Sequence, residues 1–158
     1  MCEEGLRKVV SGGQSGVDRA ALDWASEAGL ESGGWCPRRR QAEDGTISPR
    51  YPLRETPSPD PAQRTEWNVR DSDATLLLTL GAARSKGTDL TLEMALLYGR
   101  PHLCQDLDDH AAAETIRDWL KSNPVQTLNV AGPRESEAPG IYVRTRDLLK
   151  RLRKGGQV

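Results

Sequence analysis

The stretch that decides the fold is Val9-Val10-Ser11-Gly12-Gly13-Gln14-Ser15-Gly16-Val17-Asp18-Arg19. A short apolar strand leads into the glycines, and a helix follows them. Glycine adopts positive φ and leaves no Cβ in the way of a ligand. The amides that open a helix lack intrahelical partners and carry the positive end of its dipole. The stretch therefore favours a site for an anion, most often a phosphate.

The glycine spacing leaves a purely structural interpretation open. G-G-x-x-G is neither the G-x-G-x-x-G of a dinucleotide fold nor a Walker loop, which needs Gly-Lys-Ser/Thr. The same residues fit a tight strand-to-helix turn with a capping box, in which Ser15 is the N-cap and Asp18 lies three residues further on. Asp18 and Arg19 fall in the first turn of the helix in either case, beside the expected anion site.

Composition limits the function classes. The chain has 158 residues, of which 36% are hydrophobic and 28% charged, so we expect one domain spanning residues 1–158. A formal net charge of -1 argues against binding to long nucleic acid. Three cysteines without metal-like spacing predict reduced thiols and no metal site. No apolar run reaches the roughly 18 residues of a membrane helix, and the acidic first residues lack a signal-peptide pattern. We expect a cytoplasmic protein without a membrane segment.

Strand-like and helix-like segments alternate along the chain. Val17, Ala20, Ala21, Trp24 and Ala25 recur at the spacing of one buried helix face. The other predicted elements are strands at 6–11, 33–36, 74–80, 101–104 and 126–130, and helices at 62–71, from Thr88 or Asp89 to Gly99, from Asp108 or Asp109 to Asn123, and after Gly140. The leucine-rich helix before Gly99 is expected to be heavily buried.

This order predicts an α/β fold with a doubly wound parallel sheet and helices on both faces. Ligands bind such sheets outside the carboxyl ends of the strands. Three polar loops that contain glycine follow strands, at 12–16, 81–88 and 132–135, so we expect them at one edge. The candidate ligand-binding residues are Gly12, Gly13, Gln14, Ser15, Gly16, Asp18, Arg19, Arg38, Gly87, Thr88, Gly132, Pro133, Arg134 and Glu135.

A proline- and arginine-rich segment at about 37–61 has no apolar periodicity. A loop of this length is typical of a disordered segment or a functional lid. Its charged side chains could hold a ligand, as loops on a rigid scaffold often do. The alternative is a solvated arginine run on a connector stiffened by proline.

No catalytic set is evident in the sequence. Asp18, Glu93 and Glu135 are the available acid or base candidates, each with a structural alternative. Cys36 is either a thiol activated by nearby arginines or a buried, inert one. Trp35 could stack on a heterocycle or belong to the core. No serine triad or zinc spacing appears.

With these residues in view, the chain resembles the molybdenum carrier family, the molybdenum cofactor carrier proteins of the SLOG superfamily. The resemblance spans about residues 8–143. It rests on the ordered blocks Ser11–Asp23, Gly34–Arg38, Ala42–Gly45, Tyr51–Leu53, Glu55–Thr56, Arg64–Thr65, Asn68–Val69, Asp71–Asp73, Gly87–Thr88 with Thr91, Asn129–Ser136 and Pro139–Tyr142. Arg39 departs from the family pattern, where glycine is expected.

The resemblance implies a Rossmann-like fold, a homo-oligomer, and binding of a phosphorylated heterocycle. The named candidate is the molybdenum cofactor (molybdopterin) as cargo, a pterin that bears a phosphate. SLOG relatives also include phosphoribohydrolases, which cleave the base from nucleoside monophosphates with a Gly-Gly-x-Gly-Thr-x-x-Glu loop. Here Lys86 stands where glycine is expected and Glu93 comes two places late. Hydrolysis of the N-glycosidic bond is therefore the alternative function, and a nucleotide-sensing module is a third.

Overall fold

The structure is a computed structural model that describes residues 5–81 and 86–154. Its strands within those residues are β1 (Lys8–Val10), β2 (Glu31–Gly33), β3 (Trp35–Cys36), β4 (Gln41–Ala42), β5 (Gly45–Thr46), β6 (Arg54–Glu55), β7 (Ala74–Thr79), β8 (His102–Asp106) and β9 (Thr127–Ala131). Its α-helices there are α1 (Val17–Glu27), α2 (Pro61–Arg70), α3 (Lys86–Leu97), α4 (Ala112–Ser122) and α5 (Ile141–Lys154).

Five parallel strands form the central sheet in the order β2-β1-β9-β7-β8. Five residues of the six-residue strand β7 are buried because both faces of the sheet are covered. On one face α5 packs against α1 and α4, and on the other α2 packs against α3. The predicted α/β fold, Rossmann-like and doubly wound, is confirmed.

The helix of the opening stretch forms as predicted, but its cap does not. Val17, Ala20, Ala21, Trp24 and Ala25 are all buried, which confirms the apolar face of α1. The N-cap is Gly16 and not Ser15, because the chain turns there at φ 78° and ψ -129°. That conformation is reserved for glycine. The Ser15 hydroxyl instead donates to Glu43 and accepts from the Glu135 amide.

The predicted second strand is broken in two. Gly34, at φ 120°, separates β2 from β3, and a Cβ added to it would lie 2.6 Å from the Ser11 carbonyl oxygen. The chain leaves the central sheet at this point, and β3 pairs with β6 in a small sheet of its own. The interruption directs the next segment over α1.

The 37–61 segment has structure of its own. Of the interpretations that the sequence left open, a disordered segment and a solvated connector do not fit it, and a functional lid stays a prediction. Leu22 of α1 and Ile47, Tyr51 and Leu53 of the segment form a second apolar cluster with Cys36. The Arg40 guanidinium donates to the carbonyl oxygens of Ile47, Ser48, Tyr51 and Leu53 at 2.8–3.2 Å. The Arg40 side chain therefore holds the segment together and is not part of a solvated arginine run.

Helix α3 differs from the prediction in its start and its burial. It begins at Lys86, so Thr88 and Asp89 lie inside its first turn and neither is the N-cap; the rest of the predicted 81–88 loop falls partly outside the described residues. Its buried residues are the small Thr88, Thr91 and Ala95, whereas Leu96 and Leu97 are 64% and 69% exposed. The helix packs through its small residues; Leu96 and Leu97 face solvent, and Leu90 and Leu92 are partly buried.

Candidate functional site

A polar cleft lies at the carboxyl edge of the central sheet. Val10 pairs with Asn129, and Leu77 pairs with Ala131, so β1, β9 and β7 end side by side. The cleft is lined by Gly12, Asp18, Arg64, Thr65, Asn68, Gly87, Thr88, Thr91, Asn129, Ala131 and Gly132, around a cavity of about 40 Å³. Parts of all three predicted loops meet there.

Arg64 of α2 is the cation of this cleft. Its Nη1 donates to the Gly12 carbonyl oxygen at 3.1 Å and lies 3.4 Å from Oδ2 of Asp18. A Cβ on Gly12 would overlap the guanidinium, so the glycine is what lets Arg64 lie across the loop. The arginine forms part of the cleft wall and covers the loop backbone.

Asp18 is a buried carboxylate facing Arg64. Burial raises the pKa of Asp18 to about 6, although the Arg64 charge and the amides of Gln14 and Gly12 act in the opposite direction. The Gln14 amide donates to Oδ2 of Asp18 at 3.3 Å. A desolvated acid beside a specific cation is typical of functional sites.

The glycine loop directs its amides inward, to partners within the chain. The Gly13 amide donates to Oγ of Ser11 at 3.4 Å, and the Ser15 amide donates to Oε1 of Gln14 at 3.0 Å. The Gln14 amide donates to Asp18, so the carboxylate of Asp18 occupies the position at the glycine loop where an anionic ligand was expected. Among the described elements, the first turn of α3 at Gly87 and Thr88 is then the helix start that faces the cleft.

Comparisons with known proteins identify the family of the chain. Residues 9–153 match the circularly permutated YpsA SLOG family, cpYpsA. The chain belongs to the cpYpsA SLOG family. It is also similar to the crystal structure of a protein named "Putative molybdenum carrier protein" from Syntrophus aciditrophicus SB, with 43% identity, a TM-score of 0.91, and coverage of 95% of this chain and 96% of that one. Among curated proteins no match was found.

The family resemblance expected from the sequence is thus confirmed. For the part of this cpYpsA chain that the structure describes, no helix is long and apolar enough to cross a membrane. Over the same residues, no three or more His, Cys, Asp and Glu side chains come together as a metal site.

Several predicted ligand residues face a different surface of this cpYpsA protein. We call it the outer groove; it has a volume of about 710 Å³ and is lined by Ser15, Gly16, Arg19, Asp23, Glu43, Asp44, Tyr51, Glu135, Ser136, Tyr142 and Val143. Arg19 makes a bidentate pair with Asp44 at 2.7 and 3.1 Å. Glu135 accepts from the amides of Gly140 and Tyr142, where α5 begins. Four of the lining residues are carboxylates and one is an arginine, and Arg50 and Arg134 pair with two of the carboxylates, Asp23 and Glu43.

The remaining predicted residues lie between or beside the two sites. Gln14 links Ser15 to the Glu43 amide, and the Pro133 carbonyl oxygen accepts from the Val17 amide at 3.3 Å. Gly13 packs beneath Leu53. The exposed Arg134 pairs with Glu137 at 3.2 Å, and the exposed Arg38 begins a short 3₁₀ turn. As ligand contacts, all of these stay predictions.

Other candidates from the sequence have structural roles or lie outside the cleft. Trp35 packs edge-on against Trp67 at 4.8 Å between ring centroids, and its indole N–H donates to Asp71. Cys36 is fully buried, and burial raises the pKa of its thiol, which favours the inert interpretation. Glu93 is exposed and does not line the cleft.

Five polar cleft residues were absent from the sequence-based candidates: Arg64, Thr65, Asn68, Thr91 and Asn129. The sequence signal that could have identified them is a polar side chain at a position where the pattern of the element predicts a core residue. Asn129 interrupts an otherwise apolar strand, and Arg64 and Asn68 lie four residues apart on one helix face.

Replacing Asp18 with asparagine is expected to stabilise the fold at neutral pH. A raised folded-state pKa means that the folded protein binds more protons than the unfolded chain between about pH 4 and 6, so wild-type stability falls as pH rises through 6. We expect Asp18→Asn to raise the free energy of unfolding by about 2 kcal/mol at pH 7, with little difference near pH 4. Urea unfolding at both pH values measures this.

The matched control is Asp44→Asn, which removes the same charge from an exposed pair with Arg19. It should not stabilise the protein at pH 7. A variant Asp18→Asn that is less stable than wild type at pH 7 would show that the charged carboxylate supports the fold.

Proposed function

We propose that the chain binds a phosphorylated heterocyclic ligand, with its phosphate in the cleft between Arg64 and the first turn of α3. The observation that carries this is that Arg64, Gly87 and Thr88 line one polar cleft. Arginine offers a planar set of donors for phosphate, and the start of a twelve-residue helix carries the positive end of the helix dipole. Gly12 and Gly132 also line the cleft, and because they have no side chain a ligand can approach the backbone closely.

The cleft is large enough for only one part of such a ligand. A cavity of about 40 Å³ holds a small polar group, whereas sites for whole drug-sized ligands are about ten times larger. The phosphate would therefore lie inside, and the heterocycle would lie at the mouth of the cleft.

The molybdenum cofactor is the named candidate for the cargo. The similar protein from Syntrophus aciditrophicus is named as a putative molybdenum carrier. The donors of this cleft suit the phosphate of the pterin, and the described residues offer no cluster of metal ligands. Recognition would then depend on the phosphate, and other phosphorylated heterocycles, including nucleotides, would compete.

Replacing Arg64 with methionine is expected to weaken binding about a hundredfold, because a charge-assisted contact of about 2–3 kcal/mol to the phosphate is lost. Titration of the protein with nucleoside monophosphates and with the pterin cofactor, followed by intrinsic fluorescence or native mass spectrometry, measures the change. Arg64→Lys keeps the charge but lacks the planar guanidinium, so its affinity for the ligand should lie between those of wild type and Arg64→Met.

The control for this prediction is Arg70→Met, on the same helix but paired with Asp71 outside the cleft. It should bind as wild type does. The variants Arg19→Met and Arg134→Met test the sequence-based candidates in the same assay. Failure of wild-type protein to bind any phosphorylated heterocycle below millimolar concentration would refute the proposal.

One observation favours hydrolysis of a nucleotide N-glycosidic bond as a second candidate. Asp18 is a buried carboxylate in the cleft with a pKa raised to about 6, which suits an acid or base near neutral pH. Glu93, the other candidate from the sequence, is exposed. Release of free base from a panel of nucleoside monophosphates tests this function, and release that Asp18→Asn leaves unchanged would exclude Asp18 from the chemistry.

The expected homo-oligomer and the cytoplasmic location stay predictions. The exposed Leu96 and Leu97 give α3 an apolar surface that a second copy could cover. Light scattering of wild type and of Leu96→Glu would test the oligomer.

A further inference from the structure

The cleft places a carboxylate where the proposed function requires an anion. Asp18 is 6% exposed, lines the same cavity as Arg64, and lies 3.4 Å from its Nη1. An ionised carboxylate only accepts hydrogen bonds, and so do the oxygens of phosphate or sulfate. With both charged, the two groups would repel each other in a poorly solvated space.

We propose that Asp18 takes up a proton when an anion enters the cleft and becomes a hydrogen-bond donor to it. This rests on the proposed function and adds the chemistry of one contact. The exchange is balanced: the carboxylate gains one proton from solvent, the anion enters with its charge unchanged, and no other bond is made or broken. Arg64, released from its ion pair, then serves the anion alone.

The surroundings of Asp18 support this assignment. The charged groups that act on it are Arg64 from α2 and, at longer range, Arg19 on its own helix. On the other sides, the cleft is lined by residues of α3, of β9 and of the turn after β9 that do not ionise: Gly87, Thr88, Thr91, Asn129, Ala131 and Gly132. Burial already raises the pKa of Asp18 to about 6, so protonation near neutral pH carries a small cost.

The test uses inorganic sulfate as the probe, because sulfate keeps one charge state between pH 5 and 9 and any pH dependence then belongs to the protein. For wild type we expect the dissociation constant to rise about tenfold per pH unit above pH 7, which is the linkage for one proton. For Asp18→Asn we expect a change of less than about threefold over the same range, because the amide N–H donates without a proton from solvent. Isothermal titration calorimetry measures the dissociation constant of each protein at each pH.

Asp44→Asn is the matched control, and its sulfate affinity should follow the wild-type pH dependence. His102 and His110 lie outside the cleft lining and are present in every variant. Affinity that does not change with pH in wild type, or an equal slope in Asp18→Asn, would overturn the inference and leave the proposed function standing. Absence of sulfate and phosphate binding at every pH would overturn both.

Discussion

Replacing Gly16 with alanine is expected to lower the free energy of unfolding by about 4 kcal/mol. Gly16 turns the chain from the glycine loop into α1 at φ 78° and ψ -129°, a conformation that a side chain strains. An added Cβ would also lie 2.5 Å from the Pro133 carbonyl oxygen and 2.8 Å from the Glu135 nitrogen. Both neighbours are backbone atoms, so relief requires the loop after β9 to move. Urea unfolding followed by circular dichroism measures the loss.

Gly29 provides the matched control, because it has nearly the same φ of 75° and no atom within 4 Å of an added Cβ. Gly29→Ala should lower the free energy of unfolding by only about 1 kcal/mol, which is the effect of the positive φ without a steric overlap. Equal losses at the two positions would mean that the contact between the glycine loop and the loop after β9 adds nothing to stability.

Replacing Arg40 with methionine is expected to cost about 3 kcal/mol and to loosen the 37–61 segment. The variant keeps much of the aliphatic stem but leaves the carbonyl oxygens of Ile47, Ser48, Tyr51 and Leu53 without their donor. Tyr51 is 8% exposed in the folded protein, so chymotrypsin should cleave there faster once the segment opens. Urea unfolding gives the energy, and limited proteolysis locates the change.

Arg38→Met is the control from the same tripeptide, since Arg38 is exposed and its side chain has no described partner in the segment. It should change stability by less than about 0.5 kcal/mol. If the two variants lose the same stability, the arginine run acts through its total charge and not through the contacts of Arg40.

The sequence predicted the elements whose pattern is local. An apolar run such as Ala74–Thr79 and the periodic face of α1 depend only on neighbours along the chain, and both form as expected. Arg39 stands where the family resemblance implies glycine, and it adopts φ 74°, in the region that glycine prefers.

The contacts of charged side chains could not be predicted in the same way. Nothing in the local sequence distinguishes Arg64, which lies in the cleft, from Arg70, which pairs at the surface. Arg19 was expected beside the anion because it follows Asp18, yet successive helix residues point in different directions and Arg19 faces Asp44. Glycines were read as space for a ligand, whereas Gly13 and Gly16 make room for Leu53 and Pro133 of the same chain.

The order of the central sheet has a consequence for how the molecule is made. β9 lies between β1 and β7, although it is the last strand in the part of the chain that the structure describes. The halves β2-β1 and β7-β8 share no ladder until β9 arrives, so a nascent polypeptide on the ribosome cannot complete its sheet before residues 127–131 have emerged. Such late, distant pairing slows folding and leaves strand edges open to other chains. We expect truncation before Thr127 to yield an aggregating fragment and not a smaller native domain.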